Sequence, residues 1–122
     1  MEIFKQFTFD SAHWLPKVPD DHKCKNMHGH TYIVRFYVKG DLDPELGWVI
    51  DFADLKKIWK PLEKILDHKC LNDIPGLENP TAENIVMWLW RKVKPQIPAL
   101  SRIDLSENPS SGVIYRGEFE HI

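Results

Sequence analysis

The segment CKNMHGH, residues 24–30, holds the side chains of this sequence whose types and spacing are best suited to chemistry. His28 and His30 are separated by one glycine, and in a β-strand residues i and i+2 project on the same side. The two imidazoles are therefore spaced to bind one ion together. His13 shares the strand parity of an apolar run near the N-terminus and is a third candidate ligand. Three imidazoles without a fourth protein ligand are typical of catalytic zinc, which keeps one coordination position for water or substrate.

The role of Cys24 stays open on spacing alone. A thiol here is a fourth metal ligand, a small buried hydrophobe, or a catalytic base and nucleophile. Asp67 and His68 form a second acid and base pair, which would either relay a proton or belong to a surface turn at a helix end. On the residue pattern alone we favour the turn. Cys70 has no partner pattern, and we expect it to be structural.

Glu107 is a carboxylate in a register where the pattern favours an apolar side chain. It continues the row of Ile103 and Leu105 along a predicted strand, and the three histidines fall in apolar registers in the same way. Because buried polar groups need specific partners, these groups together indicate a lined pocket rather than a solvated face. The isolated His22 and His121 lack such a pattern, and we interpret them as ordinary turn or core residues.

Alternation and helical spacing predict the elements that position these groups. Strands are predicted over residues 3–9 and 31–39, then from Ile103 to Glu107 and, after the turn NPSSG, from Val113 to Phe119. Apolar residues recur at helical spacing over residues 54–66.

Helix boundaries are indicated by their capping residues. Asp51 or Asp54 is the predicted N-cap of the first helix. A second helix is predicted from the N-cap Thr81 to the stop at Pro95. The five tryptophans are interpreted as core or interface residues.

The order strand, strand, helix, helix, strand, strand predicts an α+β fold. We expect a four-stranded antiparallel sheet with both helices on one face. The other face and both sheet edges then need a partner, so we expect an oligomer whose sheets join edge to edge.

Length and composition bound the class of protein. With 122 residues, 43% of them hydrophobic and 28% charged, the chain fits one globular domain over residues 1–122. Its apolar runs are too short for a membrane span, and its N-terminus lacks the layout of a signal peptide, so we expect a cytoplasmic protein. A net charge of −2 without a dense basic block argues against a nucleic-acid partner. Two cysteines are too few for a disulfide framework.

Six segments in order resemble the 6-pyruvoyltetrahydropterin synthase superfamily: FDSAH, CKNMHGH, GWVIDFADLK, LDHKCLND, NPTAENI and SENPSSGVIYRG. The short spacing between Cys24 and HGH is similar to that of the branch that forms 6-carboxytetrahydropterin in queuosine synthesis. The resemblance implies a tunnelling fold (T-fold), whose ββααββ subunits close their sheets into a barrel on oligomerisation. It also implies a trimer-based homo-oligomer, such as a hexamer, with active sites between subunits.

The resemblance implies roles for seven residues. They are the zinc ligands His13, His28 and His30, the catalytic thiol Cys24, the proton-relay pair Asp67 and His68, and the pterin-anchoring carboxylate Glu107. Asn108 departs from the threonine that is common in the family after that glutamate.

The substrate that the resemblance implies is a small molecule, 7,8-dihydroneopterin triphosphate. With water it would give 6-carboxy-5,6,7,8-tetrahydropterin, acetaldehyde and triphosphate. Two alternatives stay open. An enzyme with the same zinc and the same residues would instead eliminate triphosphate with internal redox and form 6-pyruvoyltetrahydropterin. A non-catalytic, zinc-stabilised binding module would use Cys24 as a fourth ligand and turn nothing over.

Overall fold

The computed structural model of the chain describes residues 1–120, so His121 lies outside the described residues. Five strands form one sheet: β1 (Glu2–His13), β2 (His28–Lys39), β3 (Lys69–Cys70), β4 (Leu100–Asn108) and β5 (Ser111–Tyr115). Their order across the sheet is β3-β1-β2-β4-β5. The four longer strands pair antiparallel, as predicted. The predicted four-stranded antiparallel sheet is present, and the structure adds a fifth strand that was not predicted, where the two residues of β3 pair parallel to β1 at one edge. A two-residue strand is too short to carry a detectable alternation.

One face of the sheet is buried because the apolar residues of each long strand share one parity. In β2, Tyr32, Val34, Phe36 and Val38 are each 0% exposed. Their neighbours on the other parity remain partly exposed. Burying a side chain of this size stabilises the fold by about 1.5–3 kcal/mol relative to leaving it in water. The register of β2 in the sheet is therefore strongly specified.

Two helices cover this buried face, α1 (Phe52–Leu66) and α2 (Ala82–Val93). Asp51 caps α1 by accepting a hydrogen bond from the backbone N–H of Ala53 at 2.9 Å. Thr81 caps α2 by accepting from the N–H of Asn84 at 3.1 Å. The first helix thus begins two residues earlier than its apolar spacing indicates, and Asp51 rather than Asp54 is the cap.

The helices and the sheet share one hydrophobic core. From α1, Trp59 stacks on Phe7 of the sheet, with ring centroids 5.1 Å apart and planes at 16°. Trp88 and Trp90 of α2 are also buried, which agrees with the interpretation of the tryptophans as core residues. Trp48, in the loop before α1, is 42% exposed. The apolar residues that recur at helical spacing in α1 and α2 are therefore the ones that pack on the sheet.

The last predicted strand is too long. β5 ends at Tyr115, and Phe119 lies in a turn rather than in the strand. Gly117 has a φ of +80°, and a Cβ at this position would meet the ring of Trp90 at 2.7 Å. This glycine allows the chain to leave the sheet and fold back, so that Phe119 stacks on Tyr115 with centroids 6.2 Å apart. None of the helices within residues 1–120 has the length and apolar character that crossing a bilayer requires.

Candidate metal centre

The three predicted ligands lie at the paired ends of β1 and β2. His13 is directly opposite His28 in the antiparallel register, and Ser11 is opposite His30. All three histidines have the parity of the buried strand residues, so their side chains leave the sheet on the core side. The alternation that buries Phe9 and Tyr32 therefore continues to the strand ends, where imidazoles replace apolar side chains.

The three imidazoles form a compact group. One nitrogen of each ring lies within 4.8 Å of the corresponding nitrogen of the other two. The ring centroids are 4.6 Å apart for His13 and His28, 5.0 Å for His28 and His30, and 5.1 Å for His13 and His30. Within residues 1–120 this is the group of histidine, cysteine and acidic side chains close enough to hold a metal ion, and no thiol belongs to it.

Hydrogen bonds to backbone carbonyls orient two of the rings. Nδ1 of His13 lies 2.8 Å from the carbonyl oxygen of Pro80, and Nδ1 of His28 lies 2.8 Å from that of Asn26. A carbonyl only accepts, so each Nδ1 carries the proton and each Nε2 keeps its lone pair. This is the tautomer that a metal-binding imidazole needs, with its second nitrogen fixed by a backbone oxygen.

Two nitrogens of the group are buried without a hydrogen-bond partner. They are Nε2 of His13 and Nε2 of His30. Because buried polar atoms nearly always have a hydrogen-bond partner, two such nitrogens in a group whose ligand atoms lie within 4.8 Å of one another fit a bound cation. Burial lowers the pKa of His13, against the opposing effects of the Pro80 carbonyl and of Glu107, and so favours the neutral imidazole that binds metal. The residues present therefore fit a zinc ion.

Tyr32 completes the wall behind the ligands. Its hydroxyl lies 3.3 Å from Nδ1 of His13, and its ring stacks on Phe9 at 4.7 Å. Burial, with a smaller effect from Glu107, raises the pKa of this phenol well above its usual range, so the hydroxyl stays neutral. Sequence reasoning assigned Tyr32 only to the apolar row, since periodicity does not distinguish a phenol from a phenyl ring.

Glu107 approaches the group from β4. Its Oε2 lies 3.8 Å from Nε2 of His30, with side chains 26% and 20% exposed respectively. The pairing of β4 with β5 shifts between Ser106 and Asn108, so Glu107 lies at a β-bulge, a feature that redirects a side chain. It also lines a cavity of about 360 Å³ together with Leu15 and residues at the start of α2.

Asn108 is used within the turn that follows Glu107. Its Oδ1 accepts hydrogen bonds from the backbone N–H of Ser110 at 2.9 Å and from the hydroxyls of Ser110 and Ser111 at 2.8 and 3.1 Å. The side chain thus shapes the β4–β5 hairpin. These hydrogen bonds give Asn108 a structural role in the hairpin.

Cys24 lies in a short 3₁₀ helix, Lys23–Lys25, within the loop that joins β1 to β2. The residue is half-buried and its thiol is free. No hydrogen bond, ion pair or ring contact joins Cys24 to the three imidazoles within the part of the chain that the structure describes. Its backbone is held on both sides, by Leu15 and by His22.

Asp67 and His68 follow the last residue of α1. Oδ2 of Asp67 is 2.8 Å from Nδ1 of His68, and its Oδ1 accepts the backbone N–H of Asp10 at 2.9 Å. These two bonds hold the pKa of Asp67 below its usual range, the Asp10 bond having the larger effect. Asp67 in turn raises the pKa of His68 above 6.5.

The conformation of His68 is unusual. Its φ is +56°, a left-handed value that costs energy for a residue with a side chain. Its N–H donates to the carbonyl of Asp10 at 2.6 Å, which anchors this conformation to β1. The ring lines an open cavity of about 700 Å³ that is also bordered by His30, Cys70 and Met27. Among residues 1–120 no hydrogen bond, ion pair or ring contact joins His68 to the three imidazoles.

The family model of 6-pyruvoyl tetrahydropterin synthase matches residues 2–118. The chain belongs to this family. A 6-carboxy-5,6,7,8-tetrahydropterin synthase of Synechocystis sp. is 40% identical over 93% of this chain and 91% of its own length. A dihydroneopterin monophosphate aldolase of Pyrococcus furiosus is 35% identical over 91% of this chain and 93% of its own.

A solved member of the family has the same fold. The Caenorhabditis elegans 6-pyruvoyl tetrahydropterin synthase superposes with a TM-score of 0.89 at 28% identity, covering 97% of this chain and 96% of its own. Family membership confirms the resemblance drawn from the six segments, the T-fold and the expectation of an enzyme. The relatives carry three different activity names, so membership alone leaves the reaction to be argued.

Two residues that were not predicted as site residues form hydrogen bonds to the backbone at or beside predicted site residues. The side-chain amide of Asn72 bridges the backbone of Trp14, the residue after His13: Oδ1 accepts the Trp14 N–H at 3.0 Å and Nδ2 donates to the Trp14 carbonyl at 2.8 Å. His22 accepts the N–H of Cys24 at 3.0 Å. Asn72 bonds to a residue distant in sequence, and His22 bonds to a residue within its own turn. The periodicity of side chains along a strand or helix cannot predict either bond. Cys70 lies 3.8 Å from the sulfur of Met27 and forms no disulfide.

Proposed function

We propose that the chain is a zinc-dependent enzyme that converts 7,8-dihydroneopterin triphosphate and water to 6-carboxy-5,6,7,8-tetrahydropterin, acetaldehyde and triphosphate. The observation that carries the proposal is the convergence of three imidazoles within 4.8 Å, two of them with buried, unpaired Nε2 atoms. The choice of this product among those of the family is supported by the 40% identity to the Synechocystis synthase. We assign the reaction to queuosine biosynthesis in the cytoplasm, in keeping with two unpaired cysteines.

His13, His28 and His30 would hold the zinc ion. Three neutral nitrogen donors without a thiolate are the ligand set of a catalytic zinc, which leaves a position for substrate. Bound there, the ion supplies Lewis-acid stabilisation of negative charge on the side-chain oxygens of the substrate. The neutral state of His13 and the fixed tautomers of His13 and His28 favour binding.

Cys24 is proposed as the base that takes a proton from a C–H group of the substrate side chain. The residue is partly exposed, and its thiol is not a member of the metal-binding group. A group that removes protons must have room beside the substrate and must not be used up as a ligand. The partial exposure of Cys24 and its absence from the metal-binding group support this role.

His68 is proposed as the acid that returns a proton, with Asp67 holding its ring. The raised pKa of His68 keeps the imidazole protonated to higher pH than a free histidine. Nδ1 is bound to Asp67 at 2.8 Å, so Nε2–H is the group left to donate. Proton transfer by a positioned group of this kind is worth roughly 100-fold to 10,000-fold in rate.

Glu107 is proposed as the anchor of the pterin ring. A carboxylate can accept hydrogen bonds from a ring N–H and an exocyclic amine at the same time, which fixes the ring in one orientation. The cavity of about 360 Å³ beside Glu107 is also bordered by Thr81, Glu83 and Val113. Because Oε2 of Glu107 lies 3.8 Å from Nε2 of His30, a pterin ring bound to this carboxylate would lie next to the metal.

We further propose that the active site forms between subunits of a homo-oligomer. Within residues 1–120 no hydrogen bond, ion pair or ring contact joins Cys24 or His68 to the three imidazoles, and an arrangement in which His68 serves a neighbouring subunit accounts for this separation. The test is subunit mixing. Cys24→Ala and His68→Ala, each inactive alone, would be combined in one oligomer. Random assembly of a symmetric oligomer then restores about a quarter of the sites if the two groups come from different subunits. Mixed oligomers without activity would exclude the shared site.

Product analysis tests the reaction itself. The purified protein would be incubated with 7,8-dihydroneopterin triphosphate, and the products identified by mass spectrometry. The proposal requires acetaldehyde and the 6-carboxy product in equal amounts. A 6-pyruvoyl product would assign the chain to the activity named for the Caenorhabditis elegans enzyme. A parallel incubation with dihydroneopterin monophosphate tests the substrate named for the Pyrococcus relative. Zinc binding without any turnover would favour the binding-module alternative.

A further inference from the structure

We propose that His22 is a positioning residue for Cys24, acting through a hydrogen bond from the Cys24 backbone N–H to the histidine ring. The inference rests on the proposed function, because the position of Cys24 matters to turnover only if its thiol takes part in the reaction. His22 is not part of the metal group and does not line either cavity beside it.

The ring of His22 caps the 3₁₀ helix that carries Cys24. Its Nδ1 lies 3.0 Å from the backbone nitrogen of Cys24 and accepts the N–H. The backbone of His22 is itself fixed, since its N–H donates to the carbonyl of Pro19 at 2.9 Å and its carbonyl accepts from Lys25 at 3.0 Å. The ring is thus attached to a stable turn, and its lone pair points at the residue to be held.

A second set of bonds holds the same loop from the opposite side. The carbonyl of Cys24 accepts the N–H of Leu15 at 2.8 Å, and Leu15 is two residues after His13. The ammonium of Lys25 donates to the carbonyls of Pro16 and Val18 at 2.7 and 3.2 Å. Both backbone polar groups of Cys24 are therefore engaged, the carbonyl with Leu15 just after the strand that bears His13 and the N–H with His22.

Beyond these bonds, the loop has an ion pair of Lys25 with Asp20 at 3.4 Å and a turn bond from the Asn26 N–H to the Lys23 carbonyl at 3.2 Å, neither of which contacts Cys24. The side chains around it, including Asp21, Lys23, Asn26 and Met27, are exposed, so burial contributes little to its order. Catalysis by a positioned group is sensitive to displacements of about 1 Å, which cost up to about 100-fold in rate. Losing one of the two bonds to the Cys24 backbone should consequently reduce turnover more than substrate binding.

The chemistry of the bond suggests a conservative replacement. What His22 supplies is a short side chain with an acceptor for the N–H two residues ahead, which is what an N-cap asparagine also supplies. His22→Asn should therefore keep the hydrogen bond, and His22→Ala should lose it. Asp21→Ala, at an exposed neighbouring residue without a hydrogen bond or ion pair to the described residues, is the matched control.

The experiment measures steady-state kinetics, zinc content and backbone amide exchange in these three variants and in Cys24→Ala. We expect His22→Ala to lower kcat about tenfold with KM within twofold, and to speed exchange of the Cys24 amide about fivefold or more. His22→Asn should recover most of both, and Asp21→Ala should match wild type. Zinc content should be the same in all.

Two results would overturn the inference, and they differ from the result that overturns the proposed function. An unchanged kcat in His22→Ala, while Cys24→Ala is inactive, would show that Cys24 acts without this hold. A His22→Asn variant that is no better than His22→Ala would show that the effect does not pass through the hydrogen bond. Full activity of Cys24→Ala, in contrast, would remove the proposed base itself.

Discussion

Removing the metal should destabilise the folded chain, because two buried nitrogens then have nothing to bind. Nε2 of His13 and Nε2 of His30 have no hydrogen-bond partner among the residues described. A buried polar atom left unsatisfied costs about 1–3 kcal/mol, so the metal-free site should carry a penalty of about 2–6 kcal/mol. A cation that binds the folded chain relieves this penalty and stabilises that state by mass action.

The size of the effect follows from the free metal concentration. Zinc at about 100 times its dissociation constant stabilises the folded state by about 2.7 kcal/mol. For a chain of this size, a change of 1 kcal/mol in the free energy of unfolding moves Tm by about 3 to 5 °C. Zinc should therefore raise Tm by roughly 10 °C. The measurement is thermal unfolding at constant protein concentration, first after chelation and then after zinc is added back, with zinc content determined on the same samples.

Two variants make this prediction specific to the three-histidine group. His13→Ala should melt at nearly the same temperature with and without zinc, because it removes one of the ligands. His68→Gln should respond as the wild type does, because His68 is 77% exposed and belongs to no metal-binding group among residues 1–120. If chelation verified by elemental analysis leaves the wild-type Tm unchanged, or if His13→Ala responds fully, the assignment of these imidazoles as metal ligands is refuted.

Three other predictions concern the reaction. Cys24→Ala should keep wild-type zinc content while kcat falls by about 100-fold or more, since it removes a base and not a ligand; loss of zinc would instead favour a closed four-ligand site. Asp67→Asn should shift the high-pH limb of the kcat profile to lower pH, because Asp67 raises the pKa of His68 above 6.5 and its loss lets the acid lose its proton earlier; an unshifted limb would separate His68 from that titration. Glu107→Gln should lower kcat/KM about 10-fold to 100-fold through the loss of a charged acceptor for the pterin, with zinc content unchanged; equal kcat/KM values would show that the ring is anchored elsewhere.

The main elements of the fold could be predicted because their signals are periodic and local. Alternation indicates the strands that carry Phe9 and Tyr32, and the caps Asp51 and Thr81 mark the two helix starts. The unpredicted strand β3 and the early end of β5 both depend on contacts that are distant in sequence, and at the end of β5 the contact is that of Gly117 with Trp90. β3 exists because Lys69 and Cys70 pair with Ser11 and Ala12, which no pattern near residue 69 reports.

The candidate site could be predicted to different degrees for its different parts. The three histidines share a strand face, and parity is enough to bring them together. The pair Asp67 and His68 looks like an ordinary helix end on its pattern, and its tie to Asp10 becomes visible only in three dimensions. His22 was interpreted as an ordinary turn residue, and it is one; what the sequence does not show is that this turn holds Cys24.

The metal ligands and the core depend on the same strand register, and this links stability to function. His28 and His30 continue the row of Tyr32, Val34 and Phe36, each of which is 0% exposed. A slip of β2 by one residue would expose that row, at a cost of about 1.5–3 kcal/mol for each side chain, and would turn both imidazoles away from His13. The core therefore fixes the positions of the imidazoles before any ion binds, so the free energy of metal binding is not needed to order the strands. Substitutions that loosen the register of β2 should consequently weaken metal binding even when they lie several residues from the site.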